Sequence, residues 1–330
     1  MAVAATPSVA SHRPSLGAIL RGTPVLGPLA ALLLACTFFA TQSDRFLSGG
    51  NFSFILQQVM VTGTLAIGQT LVILTGGIDL ACGMIMALTS VLVTGLVANS
   101  GVHPVVAVLA GIAVCVAFGV LHGWLVTAIG LPPFIVTLGT YNIAYSLVRI
   151  YTTSTVTNVP DAFTFFGNTF LIGSTPITYG TVLMLVMFAV AAFVLGSTSA
   201  GRAVYAVGDN PEAARLAGIR TSRVLIAVYT VAALFYGAAG MLLVARMGVG
   251  DPQAGQSGNL DSITAVVLGG TSLLGGRGQI LGTLLGAVIV GVFRNGLQLM
   301  GVNVNFQTLI TGVLVILAVS VDYLSHRATK

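Results

Sequence analysis

The sequence has very few charged residues. Of 330 residues, 13 are lysine or arginine and 8 are aspartate or glutamate, which together make up 6% of the chain. Soluble domains carry roughly 25% charged residues because their surfaces face water. A chain with so little charge, 56% hydrophobic residues and a mean hydropathy of +1.01 cannot cover a water-facing globule. It can cover a surface that faces the hydrocarbon core of a membrane.

The sequence also lacks the patterns of several functional classes. Lys330 is the only lysine, and the arginines are scattered between apolar runs, which argues against nucleic acid as a partner. No Gly-x-x-x-x-Gly-Lys-Ser/Thr loop occurs, so the chain does not hydrolyse ATP by that route. Cys36, Cys82 and Cys115 lie inside apolar stretches without metal or disulfide spacing. We read them as packing residues and expect no cofactor and no metal in this chain.

The apolar runs predict a single all-α, polytopic membrane domain over residues 1–330. A helix needs roughly 20 mostly apolar residues to cross the hydrocarbon core. A protein with many such spans is expected to be in contact with membrane lipid. The predicted spans lie near residues 24–42, 52–74, 80–98, 104–128, 133–151, 176–196, 223–245, 260–275, 279–299 and 306–322. The polar interruptions at 152–175 and 197–222 are too short to hold a soluble core.

The arginines orient these ten spans, because short cytoplasmic loops carry an excess of Lys and Arg. With both termini inside, nine basic residues are cytoplasmic: Arg13, Arg21, Arg202, Arg215, Arg220, Arg223, Arg277, Arg327 and Lys330. Four are outside: Arg45, Arg149, Arg246 and Arg294. The sequence therefore predicts an N-in, C-in topology, with a cytoplasmic tail at 1–23 and a cytoplasmic loop at 197–222.

The 197–222 loop carries the signals of a short helix. Asp209 or Asn210 can cap it, Pro211 suits its first position and Glu212 favours its positive start. Gly218 is a natural stop. A helix of about two turns is unstable alone because nucleation is costly. Either it packs on the inner surface of its own subunit, or it docks into a cleft of a separate cytoplasmic subunit.

Several motifs in order resemble the permease subunits of ribose- and fructose-type carbohydrate ABC importers. Residues 201–219 resemble the coupling helix of that family, and residues 71–80 (LVILTGGIDL) its early glycine-acid motif. Residues 265–273 (AVVLGGTSL) with 275–278 (GGRG), and residues 295–301 (NGLQLMG), resemble its late motifs. The resemblance covers the chain from about residue 46 onward. Ala81 and Cys82 depart from it, since most relatives have serine and valine there.

The resemblance implies a multi-pass protein of the bacterial cytoplasmic (inner) membrane with an ABC importer permease fold. It implies a permease homodimer, a cytoplasmic ABC ATPase that binds the ATP and an extracytoplasmic sugar-binding protein. The transported solute would be a monosaccharide of the fructose or ribose type, with fructose closest and the ribose, xylose and galactose types next, and the chain itself would not be an enzyme. The residues that the resemblance assigns to ATPase coupling are Gly208, Asp209, Asn210, Pro211, Glu212, Arg215 and Gly218.

Polar residues recur at helical spacing inside two predicted spans, near 52–74 and 133–151. Polar side chains that face lipid are costly, so such stripes face protein or water. They form hydrogen bonds between helices or line a path for a hydroxyl-rich solute. Asp79 either caps the third span or gates the inner mouth. The candidate path residues are Gln58, Thr62, Gln69, Asp79, Thr137, Tyr141, Asn142, Tyr145 and Ser146.

The alternative function is an ion-coupled secondary transporter of a small polar solute. Such transporters place ionisable groups at mid-membrane to carry the coupling, whereas here Asp79 and Asp261 are predicted near span ends. One further pattern concerns packing. Gly278, Gly282 and Gly286 recur every four residues, which predicts a flat helix face that packs closely against another helix, either within one subunit or at a dimer seam.

Overall fold

The computed structural model describes residues 25–327, and most of this range is helical. The first seven helices are α1 (Leu26–Gln42), α2 (Gly49–Leu74), α3 (Cys82–Ala98), α4 (Pro104–Trp124), α5 (Pro133–Tyr151), α6 (Asp161–Thr164) and α7 (Tyr179–Ser197). The remainder are α8 (Ser199–Asp209), α9 (Pro211–Leu216), α10 (Thr221–Met247), α11 (Gly258–Leu268), α12 (Ile280–Leu299) and α13 (Val304–Arg327). A π-helical turn at Leu125–Ile129 continues α4, and a 3-10 turn at Phe165–Gly167 follows α6. The predicted tail at 1–23 lies outside the described residues.

The helices confirm an all-α polytopic membrane protein. Five helices are long and apolar enough to cross a membrane: α2, α4 with its π-helical turn, α7, α10 and α12. Shorter apolar helices are α1, α3, α11 and residues 304–317 of α13. The central helix is α2, which packs against α7, α10, α11 and α12 and is buried along most of its length.

A β-hairpin interrupts the helical pattern in a segment that the sequence predicts as loop. Strands β1 (Thr169–Ile172) and β2 (Thr175–Thr178) pair in an antiparallel register that runs from Thr169 opposite Thr178 to Ile172 opposite Thr175. Gly173 in the two-residue turn has a φ of 62°, a left-handed conformation that favours glycine. The predicted span at 176–196 consequently begins three residues later, at Tyr179, where the Thr178 hydroxyl accepts from the Thr181 N–H.

The prediction of a membrane-spanning helix near 260–275 is wrong. The helix in this region, α11, has 11 residues, and at about 1.5 Å per residue it is too short for a hydrocarbon core of about 30 Å. The chain nevertheless crosses the bundle here. Gly250 pairs with Val156 at the end that carries the β-hairpin, whereas the Gly276 N–H donates to the Leu74 carbonyl at the end that carries α9. The crossing consists of non-helical residues 251–257, α11 and the loop 269–279.

Glycines bring α11 and α12 into direct backbone contact. A Cβ on Gly282 would collide with the carbonyl oxygen of Gly269, and a Cβ on Gly286 with that of Ala265. This confirms the predicted close contact within one subunit. Gly278 precedes α12 and lies in the loop, with a φ of 152°.

Candidate functional site

The short helix α9 has the predicted signals at both ends. The Asn210 side chain accepts a hydrogen bond from the Ala213 N–H at 2.9 Å, Pro211 is the first helical residue, and Gly218 ends the segment with a φ of 86°. These contacts confirm Asn210 as the cap, and Asp209 is instead the last residue of α8. The fixed φ of proline and the permissive backbone of glycine explain why this segment forms a helix of this length.

Most of α9 is exposed. Glu212 and Arg215 form an ion pair at 2.6 Å and are 67% and 64% exposed. The hydrogen bond and positive charge of Arg215 lower the pKa of Glu212 below its ordinary value, so the carboxylate remains ionised at neutral pH. Leu216 is 78% exposed, whereas Ala214 is buried and holds the helix to the protein. An exposed leucine beside an ion pair is a surface that a second protein can cover.

Helix α8, which precedes α9, packs closely against the bundle through its last residues. A Cβ on Gly208 would collide with the carbonyl oxygen of Leu74 at the end of α2, and one on Gly276 would come within 2.7 Å of the Asp209 Cα. The Tyr205 hydroxyl donates to the Gly278 carbonyl at 2.9 Å. The predicted coupling residues therefore divide into two groups. Gly208 and Asp209 contact the ends of α2 and of the loop before α12, and the residues from Pro211 to Gly218 form the exposed surface.

Two predicted path residues, Gln58 and Thr62, line a cavity of about 250 Å³ between α2, α10, α11 and α12. We call it the polar cavity. Its other polar lining residues are Arg246, Ser257, Asp261 and Arg294. From the sequence, Arg246 and Arg294 are predicted only to lie outside and Asp261 only to lie near a span end, so the contact between them is not predicted. The available signal was that charged residues inside apolar helices mark solute pathways.

A second group of predicted path residues lies in a buried network rather than in a cavity. Gln69, Asp79 and Thr137 are fully buried. The Asp79 side chain accepts from the Ala81 N–H at 2.8 Å at the start of α3, and its other oxygen lies 3.5 Å from Nδ1 of His122. The Thr137 hydroxyl donates to the Ile78 carbonyl at 3.1 Å. Ala81 is the residue before α3 and no side chain caps that helix, so the capping interpretation of Asp79 is wrong and its contacts hold the loop between α2 and α3 instead.

The third group lies on α5, where its tyrosines pack partly against the core of the subunit and its other two side chains do not. Tyr141 and Tyr145 are half-buried, and Asn142 and Ser146 are exposed. Arg149 lies over the Tyr145 ring, 5.8 Å from its centre. Along α5 the predicted path residues therefore change from a fully buried Thr137 to the exposed Asn142 and Ser146. Within residues 25–327, no group of three His, Cys, Asp or Glu side chains is placed to hold a metal ion.

Three curated proteins are similar to this chain over most of its length. The fructose import permease protein of Rhizobium meliloti is 43% identical over 310 residues, which is 92% of this chain and 86% of that protein. The ribose import permease protein of Bacillus subtilis is 40% identical, over 90% of this chain and 92% of that protein. The ribose import permease protein of Escherichia coli K12 is 39% identical, over 89% and 92%. No solved structure is significantly similar.

A protein family described as the permease component of the branched-chain amino acid transport system matches residues 51–319. This range includes the central helix α2, the polar cavity, α8, α9 and most of α13. The match covers most of the chain, and the helices long enough to cross a membrane agree with it. The chain therefore belongs to this permease family and is a multi-pass protein of the bacterial cytoplasmic membrane.

Proposed function

We propose that the chain is the membrane-spanning subunit of an ABC importer that carries a monosaccharide inward across the cytoplasmic membrane. A separate cytoplasmic subunit hydrolyses the ATP. The named activities of the relatives support a fructose- or ribose-type solute. The observation that carries the proposal is α9, a capped helix that exposes Leu216 and the Glu212–Arg215 pair while Ala214 attaches it to the bundle.

The contacts of α8 supply a route for coupling. A displacement of α9 by a docked ATPase moves the end of α8, which contacts Leu74 at the end of α2 and Gly276 in the loop before α12. Both α2 and α12 line the polar cavity, through residues such as Gln58 and Arg294. Because helices are stiff and the backbones are in direct contact at these glycines, movement at α9 changes the shape of the polar cavity.

Two further partners complete the proposal. The exposed polar face of α5, with Asn142 and Ser146, supports a homodimer in which a second copy of the chain faces it, because such side chains are costly against lipid. An extracytoplasmic sugar-binding protein delivers the solute at the end that carries the β-hairpin.

The orientation is tested by labelling introduced cysteines in intact cells. A membrane-impermeant thiol reagent should label Thr155→Cys near the hairpin from outside and should label Asn210→Cys only after the membrane is opened. Wild-type protein measures the background from Cys36, Cys82 and Cys115. Labelling of Asn210→Cys, and not of Thr155→Cys, in intact cells would overturn both the orientation and the docking proposal.

The function is tested by uptake into proteoliposomes that contain the permease, its ATPase and its sugar-binding protein. Uptake of labelled fructose or ribose should require ATP on the α9 side. Ala214→Pro should abolish uptake while leaving the protein folded, because proline removes the N–H that donates to the Asn210 carbonyl and costs about 3 kcal/mol in a helix. Ala214→Ser keeps that N–H and is the control.

Two outcomes would overturn the proposal. Monosaccharide uptake that persists without ATP and collapses with a proton or sodium gradient would assign the chain to secondary transport. Normal uptake by Ala214→Pro would show that α9 does not carry the coupling.

A further inference from the structure

The polar cavity is lined by residues of five helices and of the loop before α11. Arg246 comes from α10, Asp261 from α11 and Arg294 from α12, and Gln58 and Thr62 come from α2. The non-helical residues 251–257 lead into it, and Ala254 and Ser257 line it. Non-helical backbone at membrane depth is tolerated only where it is buried in protein or lines a water-filled space. Residues 251–257 can therefore be non-helical because they line the polar cavity through Ala254 and Ser257.

The charges in the polar cavity are arranged as donors and acceptors side by side. Nη1 of Arg294 donates to Oδ2 of Asp261 at 2.9 Å, and the Ser257 hydroxyl donates to the same oxygen at 3.3 Å. Asp261 is 5% exposed, whereas the Arg294 side chain is 42% exposed. The Asp261 carboxylate is thus buried in the lining. The Arg294 guanidinium, which has five N–H donors, exposes part of its surface to the cavity.

One acceptor in the lining has no partner among the described residues. The side-chain oxygen of Gln58 is buried and receives no hydrogen bond there. A buried acceptor left unpaired costs about 1–3 kcal/mol. A hydroxyl donor in the cavity would satisfy it. This observation is independent of the charges and points to a ligand that donates hydrogen bonds.

The rest of the lining suits the ring of a sugar. Val61, Leu65, Met86 and Leu243 form an apolar wall, which can cover the C–H face of a pyranose or furanose ring. Pockets for drug-sized ligands measure roughly 300–1,000 Å³, so a cavity of about 250 Å³ suits a smaller solute. Neighbouring hydroxyls can both donate to Gln58 and accept from an arginine, whereas sulfate has no hydrogen to donate.

We infer that the polar cavity binds one monosaccharide inside a single permease subunit. Arg246 and Arg294 donate to the sugar hydroxyls, the Gln58 oxygen accepts from one, and Asp261 positions Arg294. This inference rests on the proposed function, because it identifies where the proposed solute binds in the membrane. The site adds a selective step after release from the sugar-binding protein.

The first test is protection of an introduced cysteine in the assembled transporter. A small hydrophilic thiol reagent should label Thr62→Cys, and saturating D-fructose or D-ribose should slow labelling about tenfold by occupying the site. Thr155→Cys, outside the cavity, should be labelled at the same rate with and without sugar. Protection by sodium sulfate but by neither sugar would overturn the inference, as would no protection by any of the three.

The second test does not depend on the Thr62 variant. Arg246→Gln and Asp261→Asn should each lower monosaccharide uptake about tenfold, as expected when a member of a buried charge cluster is lost. ATP hydrolysis stimulated by the binding protein should change little, because α9 and its contacts are untouched. Arg45→Gln, on an exposed turn, is the control and should transport normally.

The outcomes separate the inference from the proposed function. Absence of ATP-driven monosaccharide uptake by the wild-type complex would end the proposed function and this site with it. Normal wild-type uptake, together with normal uptake by both cavity variants, would overturn the site alone. Loss of both uptake and stimulated ATP hydrolysis in the cavity variants would also overturn it, since the residues would then act on assembly.

Discussion

Two of the short helices, α9 and α11, are stabilised in opposite ways. With 6 and 11 residues, both are shorter than the roughly 12–15 residues that an isolated helix needs. Helix α9 is capped by Asn210 and lies on the surface with most side chains exposed. Helix α11 has no side-chain cap at Ser257, and most of its residues are buried against α2 and α12.

This difference shows which kind of interaction each helix offers. Because α9 is held by local bonds, its exposed face is free to dock a partner without unfolding the bundle. Because α11 is held by backbone contact with Gly282 and Gly286, it cannot shift without moving α12. These properties suit α9 to dock the proposed ATPase and α11 to shape the polar cavity.

The largest expected effect is the loss of the α11 contact. Gly282→Leu places a side chain against the Gly269 carbonyl, so α11 and α12 must separate. Overpacking costs about 1–3 kcal/mol even where side chains can adjust, and here the obstacle is backbone. We expect little or no monodisperse protein by size-exclusion chromatography in detergent. Gly196→Leu, which has open space at its Cβ position in α7, should purify normally, and a normal yield of Gly282→Leu would contradict the packing.

A smaller effect is expected from the exposed leucine of α9. Leu216→Ala should leave yield unchanged, because the side chain contacts little of its own subunit. It should weaken ATPase association about tenfold, since full burial of a leucine is worth about 1.5–3 kcal/mol. Titration of the ATPase against immobilised permease measures this. Equal affinity of the variant and the wild type would place the docking surface elsewhere.

Loss of the cap should be milder. Asn210→Ala removes the acceptor for the Ala213 N–H, and loss of such a cap costs typically about 1 kcal/mol of helix stability. We expect about a fivefold weaker ATPase association at unchanged yield. Asn210→Ser retains a capping side chain and should restore most of the affinity. A serine variant as weak as the alanine variant would show that Asn210 acts through another contact.

The smallest effect is expected from the ion pair. Because Glu212 and Arg215 are exposed, Glu212→Gln should change ATPase affinity less than twofold, as exposed pairs contribute little. The folded-state pKa of Glu212 is lowered from 4.5, so any stabilisation is present above that value and is lost as the pH falls through the lowered pKa. Affinity measured from pH 6 to pH 8 should show no change from this pair, and a step in that range that disappears in Glu212→Gln would contradict it.

Much of the proposed docking site could be predicted from the sequence. Capping, proline at the first position and a glycine stop are local rules, and they placed α9 between Asn210 and Gly218. The polar cavity could not be predicted in the same way. Gln58 and Thr62 were found from their spacing, but Arg246, Asp261 and Arg294 are distant in sequence and meet only after the helices pack.

The amino-acid sequence by itself determined the membrane class, the apolar helices and the local ends of α9, because composition and short-range backbone preferences decide these. Only the tertiary structure decided that the chain breaks before α11, that Asp79 lies beside His122, and that Thr137 is buried whereas Asn142 and Ser146 are exposed. The physical reason is that these features depend on which backbones can approach at glycines such as Gly286, and close approach is a property of two helices together.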